Sequence, residues 1–100
     1  MTTLAEFQRR IEETYRDRDA ARGVSGTFLW FVEEVGELAR ALKKGEPENL
    51  REEFGDVLAW LSTLASLSGV DLETAAKPYM AGCPSCGRVP CGCPARPTPP

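Results

Sequence analysis

Two acidic motifs are mirrored about a turn signal, and this mirror pattern constrains the fold more than any other feature of the chain. The first motif covers residues 33–37, Glu-Glu-Val-Gly-Glu, and the second covers residues 53–56, Glu-Phe-Gly-Asp. Between them, residues 43–47 read Lys-Lys-Gly-Glu-Pro. Glycine commonly ends a helix, and proline is favoured in the first turn of the next one. The sequence therefore predicts two antiparallel helices joined at Gly45.

The register of this helical hairpin follows from the same pattern. In an antiparallel pair, residues equidistant from the turn lie level, so the position numbers of facing residues have a constant sum, here 90. Acids three residues apart share one face of a helix. The hairpin is thus predicted to bring four carboxylates into one small volume, with two indoles at its end. The facing pairs are Glu37 with Glu53, Glu34 with Asp56, and Trp30 with Trp60.

Such an acidic cluster repels itself unless a cation occupies it. Hard divalent cations prefer oxygen ligands, so an all-carboxylate site predicts Mg²⁺. A solvated helix face is the ordinary alternative, but these acids lie beside the apolar stripe of each helix instead of opposite it. Gly36 and Gly55, one inside each predicted helix, cost about 1 kcal/mol each relative to alanine. Their presence suggests that a helix or a ligand approaches closely there.

These residues resemble the MazG-like nucleotide pyrophosphohydrolases, whose signature is Glu-Glu-x-x-Glu followed after a spacer by Glu-x-x-Asp. The resemblance extends from about Phe28 to Asp56 and, more loosely, to about Lys77. It implies an all-α enzyme that uses Mg²⁺ to hydrolyse a nucleoside or deoxynucleoside triphosphate to the monophosphate and pyrophosphate. Glu33 also belongs to the motif; a supporting position beside the metal site is predicted for it, with a salt bridge to an arginine of the first helix as the alternative. The implied metal ligands are Glu34, Glu37, Glu53 and Asp56.

Proton transfer has to come from groups other than histidine, because the chain contains none. Their absence excludes Ser-His and Cys-His nucleophile pairs and histidine-containing di-iron sites. A carboxylate that is not fully engaged by the metal, Glu37 or Glu53 by position, is the predicted catalytic base.

Three further residues are candidate substrate contacts. Trp30 and Trp60 are predicted one helical turn from the acids, where an indole can stack on a nucleotide base; packing in the core is the alternative for both. Lys77 is the predicted phosphate contact, with a solvated surface lysine as the alternative. Asp17 and Asp19 are interpreted as surface charges.

Apolar periodicity predicts an all-α fold, a small antiparallel bundle of three main helices and a short fourth. The first helix is predicted from Leu4 to Ala21 and is ended by residues 23–26. The second starts around Ser25 to Thr27, where either hydroxyl can cap it, and runs to Lys44. The third runs from Pro47 to about Ser68, and the fourth from Leu72 to about Met80, with Pro78 bending or ending it. The predicted core stripe of the second helix consists of Phe28, Phe31, Val35, Leu38 and Leu42.

Length and composition set the remaining expectations. A chain of 100 residues buries only a modest fraction of its surface alone, so a homodimer or a dimer of dimers is expected. A net charge of −3 disfavours nucleic-acid binding. No apolar run approaches the roughly 20 residues that span a bilayer, and charges interrupt the N-terminus where a signal peptide would be apolar. No membrane association is expected, and the predicted location is the cytoplasm.

All four cysteines lie near the C-terminus, in the pattern Cys83-x-x-Cys86 followed by Cys91-x-Cys93. Two close thiolate pairs suit tetrahedral Zn²⁺, and the interleaved glycine and proline allow tight turns around an ion. Disulfides and unliganded thiols are the alternatives. The predicted organisation is a helical domain over residues 1–81, a structural zinc knuckle over 82–94, and a proline-rich tail over 95–100.

Two other functions are compatible with the sequence. One is a non-catalytic helical interaction module, with a structural cation and a zinc knuckle that docks a partner. The other is phosphoribosyl-ATP pyrophosphohydrolase activity, which is distinguished by its substrate.

Overall fold

The computed structural model describes residues 2–99, and its regular elements are helical. Helix α1 spans Leu4–Lys44, α2 spans Pro47–Leu67 and α3 spans Leu72–Ala76, followed by a 3₁₀ turn at Lys77–Tyr79. No strand occurs among these residues. The all-α class is thereby confirmed. The predicted short fourth helix is represented by α3 and the 3₁₀ turn, which contains the proline that limits it.

The predicted break between the first two helices is confined to Gly23. Its φ of 74° and ψ of 179° lie in a region open almost only to glycine. The helix resumes at once, so the expected break over residues 23–26 was wrong. We call residues 4–22 the N-terminal arm of α1 and residues 24–44 its C-terminal arm. Thr27, expected near a helix start, is instead fully buried inside the helix.

The turn between α1 and α2 forms as the sequence predicts. Gly45 adopts a left-handed conformation, with φ 73° and ψ 18°, and its N–H donates to the Ala41 carbonyl at 2.9 Å. Glu46 is extended, and Pro47 begins α2. This short connection makes the C-terminal arm and α2 neighbours.

The interior contains more polar groups than large apolar ones. Among residues 2–99, the buried apolar side chains are Ala41 and Ala65. Gln8 connects three elements: its amide donates to the Ser66 hydroxyl at 3.1 Å and the Val70 carbonyl at 2.8 Å, and its oxygen accepts from the Leu72 N–H at 2.8 Å. Hydrogen bonds therefore hold the start of α1 against the end of α2 and the start of α3.

Much of the predicted core stripe on the C-terminal arm is on the surface of the single chain. Phe28 is 53% exposed, Val35 42% and Leu42 57%. The prediction that these residues pack in a core within the chain was wrong for all three. α2 packs against another face of the helix, which leaves an apolar face open.

Within residues 2–99, no helix is both long and apolar enough to cross a membrane.

The backbone at Gly23 leads to a first prediction. Gly23→Ala should lower the free energy of unfolding by about 1–3 kcal/mol, because alanine is strained at this φ and ψ. A Cβ here would meet no atom within 4 Å, so the cost comes from the backbone alone. Urea unfolding followed by circular dichroism measures the change. The matched control is Gly36→Ala, a helical glycine with equally open space, which should be neutral or gain up to about 1 kcal/mol. Equal stability of the two variants would contradict the assignment.

Candidate active site

Three carboxylates from two helices form one group. Glu34 comes from the C-terminal arm, and Glu53 and Asp56 come from α2. Each contributes one oxygen, and these oxygens all lie within 4.8 Å of one another. The hairpin register places Glu34 opposite Asp56, and the three-residue spacing in α2 puts Glu53 on the same face. We call these three residues the carboxylate group.

The electrostatics of this group favour the binding of a positive charge. Burial raises the pKa of Glu34 above its ordinary value, and the negative charges of Asp56, Glu53 and Glu37 raise it further. The Oε2 atom of Glu53 is buried and has no hydrogen-bond partner. A buried, unpartnered carboxylate oxygen is costly. A cation bound by all three residues would relieve both conditions, so the donor set fits a hard divalent metal such as Mg²⁺.

The fourth predicted ligand lies beside this group. Glu37 is not among the residues whose oxygens converge within 4.8 Å. Its Oε1 accepts a hydrogen bond from Arg40 Nη2 at 2.5 Å, and the two residues form an ion pair across one turn of the helix. Glu37 still adds negative potential at Glu34. Glu33 is exposed and makes no ion pair in the described part of the chain. The metal-binding role of Glu37 and the assisting role of Glu33 remain predictions.

The glycines of the two motifs are not required for packing of α1 against α2. A Cβ on Gly36 or Gly55 would meet no atom within 4 Å. Close approach of the two helices therefore does not explain these residues, and close approach of a ligand remains as the prediction.

The two tryptophans confirm the predicted register. The rings of Trp30 and Trp60 stack, with centroids 5.9 Å apart and an angle of 16° between their planes. Trp30 is half exposed, whereas Trp60 is more covered. The pair therefore fixes α2 against the C-terminal arm within about one turn of the carboxylate group.

A cavity of about 290 Å³ lies between the N-terminal arm and α2. Asp56 belongs both to its wall and to the carboxylate group. Trp60 lines the cavity, but Trp30 does not. The N-terminal arm contributes four charged or aromatic side chains to the wall: Tyr15, Arg18, Asp19 and Arg22.

A partly buried ion pair holds the Arg22 guanidinium at this cavity. Both terminal nitrogens of Arg22 donate to Asp19 Oδ1, at 3.2 and 2.7 Å, and the Thr63 hydroxyl donates to Asp19 Oδ2 at 3.2 Å. The Arg22 guanidinium carbon also lies 4.6 Å from the centroid of the Trp60 ring, in cation–π contact. Arg22 is thus fixed by Asp19 on one side and by an indole on another.

Sequence reasoning missed these residues of the N-terminal arm. Asp19 was expected on the surface, but it is only 6% exposed, so that prediction was wrong. Its burial is supported by the partners Arg22 and Thr63. A signal was present, because Tyr15, Asp19 and Arg22 follow one another at four and three residues and share a helix face.

Lys77 lies apart from this cavity wall. It is exposed at the start of the 3₁₀ turn, and its charge helps to lower the pKa of Asp71, which is set first by the hydrogen bond from the Thr74 hydroxyl. Lys77 is not among the residues that line the cavity. Its contact with phosphate remains a prediction.

The cysteines converge as a separate group after the helices. Their four sulfur atoms lie within 4.8 Å of one another. Backbone N–H groups of Cys86 and Ser85 lower the pKa of the Cys83 thiol to about 6.

The structure is a helical protein whose carboxylate group has the donor set that a hard divalent cation prefers, beside a cavity with aromatic and cationic walls. A family model described as the MazG nucleotide pyrophosphohydrolase domain matches residues 22–82, more than half of the chain. The chain therefore belongs to the MazG nucleotide pyrophosphohydrolase family. No curated protein sequence matches it. The matched range includes the carboxylate group and both tryptophans, but not Tyr15, Arg18, Asp19 or the four cysteines.

The raised pKa of Glu34 gives a second prediction. The folded protein binds this proton more tightly than the unfolded chain, whose glutamate has a pKa of 4.5. The stability from this group is complete below that pH and is lost as the pH rises through the raised pKa. Glu34→Gln mimics the protonated side chain, so it should stabilise the metal-free protein at neutral pH and have little effect at about pH 4.

Urea unfolding in the presence of a chelator, at both pH values, measures this effect. Glu52→Gln, an exposed residue next to the group on α2, is the matched control and should show no such gain. A Glu34→Gln variant that is less stable than the parent at neutral pH without metal would show that the carboxylates do not repel one another.

Proposed function

We propose that the chain is a Mg²⁺-dependent nucleoside triphosphate pyrophosphohydrolase. It cleaves a nucleoside or deoxynucleoside triphosphate between the α- and β-phosphates, giving the monophosphate and pyrophosphate. The observation that carries this proposal is the carboxylate group with its unpartnered Glu53 oxygen, joined through Asp56 to the cavity. Membership of the family supports nucleotide pyrophosphohydrolase activity in general.

In this proposal, Glu34, Glu53 and Asp56 hold the metal, and Glu37 is close enough to influence it through its charge. When bound, Mg²⁺ would supply positive charge that offsets the charge developing on phosphate and would activate a water for attack. The residues supply three anionic oxygens on two rigid helices, which fixes their directions before substrate arrives.

Glu37 is the better placed of the two predicted bases. Glu53 already belongs to the carboxylate group, whereas Glu37 stands outside it and is held by Arg40. Glu37 shares a helix face with Glu34, and its side chain is 43% exposed, so its carboxylate is accessible to water. We assign to Glu37 the acceptance of the water proton, with Glu53 as a ligand.

The cavity is proposed to hold the nucleotide. Arg18 and Arg22 supply positive charge for phosphate oxygens, and Arg22 is already oriented by Asp19. The Trp60 and Tyr15 rings supply apolar surface for the base or sugar. Trp30 supports Trp60 by stacking on it. Lys77 does not line the cavity, so its predicted contact with phosphate would lie outside it.

The open apolar face of the C-terminal arm supports a homo-oligomer, either a homodimer or a dimer of dimers. Phe28, Val35 and Leu42 lie on one stripe and remain between two-fifths and three-fifths exposed. A chain that buries few large apolar side chains internally gains stability by covering such a stripe with a second copy. We propose that this stripe forms the interface.

The proposed activity leads to a third prediction. Pyrophosphate release should be measured on a panel of nucleoside and deoxynucleoside triphosphates and phosphoribosyl-ATP, with and without Mg²⁺. The parent protein should turn over at least one triphosphate only with Mg²⁺. Asp56→Asn should reduce that rate by about 100-fold or more, because a metal ligand is lost. Circular dichroism checks that the variant is folded.

Glu52→Gln is the matched control on the same helix and should retain activity. A folded protein that binds Mg²⁺ without hydrolysing any member of the panel would instead be a non-catalytic helical module. Turnover of phosphoribosyl-ATP alone would assign the rival activity.

The proposed interface gives a fourth prediction. Leu42→Glu should weaken self-association by at least about tenfold, since it places a charge in an apolar interface. Analytical ultracentrifugation over a range of concentrations measures this change. Leu29→Glu is the matched control, because Leu29 is 71% exposed on the same arm but lies away from the stripe. A parent protein that is monomeric at all concentrations, or equal effects of both variants, would rule out this interface.

A further inference from the structure

The cysteine segment forms a closed turn of its own beyond the helices. The Gly87 N–H donates to the Cys83 carbonyl at 2.6 Å, and the Cys83 N–H donates to the Arg88 carbonyl at 3.1 Å. Gly87 has a φ of 73°, the left-handed conformation that lets the chain reverse here. This reversal turns Cys83 and Cys86 toward each other within a few residues.

The sulfur positions match a tetrahedral metal site. Cys83 Sγ lies 3.9 Å from Cys93 Sγ, and Cys86 Sγ lies 4.0 Å from Cys91 Sγ. A zinc–sulfur bond of about 2.3 Å places the sulfurs of a tetrahedral site about 3.8 Å apart. A disulfide requires about 2.05 Å, and all four cysteines are free. The cluster therefore has the dimensions of a tetrathiolate site instead of two disulfides.

Neighbouring groups are placed to stabilise negative charge on the sulfur atoms. The Gly92 N–H donates to Cys86 Sγ at 3.4 Å, and the Cys93 N–H donates to Cys91 Sγ at 3.3 Å. The Arg88 guanidinium lies over Gly92, where a Cβ would come within 2.7 Å of Arg88 Nη1. Four thiolates around a divalent ion leave a net charge of about −2, which these donors and the Arg88 cation partly offset.

The segment has no apolar core to hold it. Val89, its one large aliphatic side chain, is 82% exposed. A short, glycine- and proline-rich stretch without buried apolar surface needs a cross-link or a metal to keep one conformation.

We propose that Cys83, Cys86, Cys91 and Cys93 bind one structural Zn²⁺ per chain, with Arg88 as the nearby counter-charge. Soft sulfur donors in a tetrahedral arrangement select zinc, whereas the oxygen donors of the carboxylate group select magnesium. The four ligands lie beyond residues 22–82, the range of the family match. The site is therefore an addition to the catalytic domain, and it fixes residues 83–93 without taking part in hydrolysis.

Elemental analysis of the full chain, purified without chelator, tests the site directly. One equivalent of zinc per chain is expected. Replacement by Co²⁺ should give the visible absorption bands of a tetrahedral ion and the near-ultraviolet bands of thiolate ligation. Zinc well below one equivalent, together with four titratable thiols or two disulfides, would overturn the proposal.

Two variants separate metal binding from other effects. Cys91→Ser should remove most of the bound zinc and increase proteolysis within residues 83–93, while helical circular dichroism is kept. Ser85→Ala, an exposed residue in the same turn, is the matched control and should keep its zinc. Full zinc retention by Cys91→Ser would refute the four-cysteine assignment. Loss of hydrolysis in the folded Cys91→Ser protein would refute a purely structural role, whatever the parent enzyme hydrolyses.

Discussion

The register of the α1–α2 hairpin is the constraint on which the rest of the site depends. One residue, Gly45, ends α1 in a left-handed conformation, and the next helix begins two residues later. A turn this short leaves little freedom in how the two helices align. The stacked indoles hold that alignment, with 5.9 Å between their centroids. A slip of one helical turn, about 5.4 Å, would separate Glu34 from Asp56, and the three carboxylates would no longer converge.

This alignment brings negative charges together, and without a bound cation their repulsion destabilises the folded chain. One oxygen from each of three carboxylates lies within 4.8 Å of the others, and the Oε2 atom of Glu53 has no hydrogen-bond donor. Packing elsewhere has to compensate, and much of it is polar. Gln8 connects α1 to the end of α2 and the start of α3. Asp19, paired with Arg22, connects α1 to Thr63 of α2. These polar contacts join distant parts of the chain, as apolar cores do in larger domains.

The sequence allowed the helical hairpin and most of the carboxylate group to be predicted, because both follow from local rules. Helix stops, helix starts and three-residue spacing are properties of neighbouring residues. The cavity was not predictable in the same way. Its wall depends on how the N-terminal arm lies against α2, and that arm is separated from the rest of α1 by the kink at Gly23. The burial of Asp19 was missed because its partner Thr63 is 44 residues away in the sequence.

The exposed state of Phe28 and Leu42 has a related origin. Periodicity identifies an apolar stripe but does not say which molecule covers it. In this chain α2 packs against a neighbouring face of the C-terminal arm, and the stripe itself faces outward.

The bend at Gly23 divides the proposed active site between two parts of one helix. The C-terminal arm provides Glu34, whereas the N-terminal arm provides Tyr15 and Arg18 for the opposite wall of the cavity. The glycine interrupts helical geometry between them, so side chains on the N-terminal arm can change without shifting the carboxylates. Within the proposed function, the part of α1 that would hold metal and the part that would contact the nucleotide are therefore different segments of one helix, and each can be substituted separately.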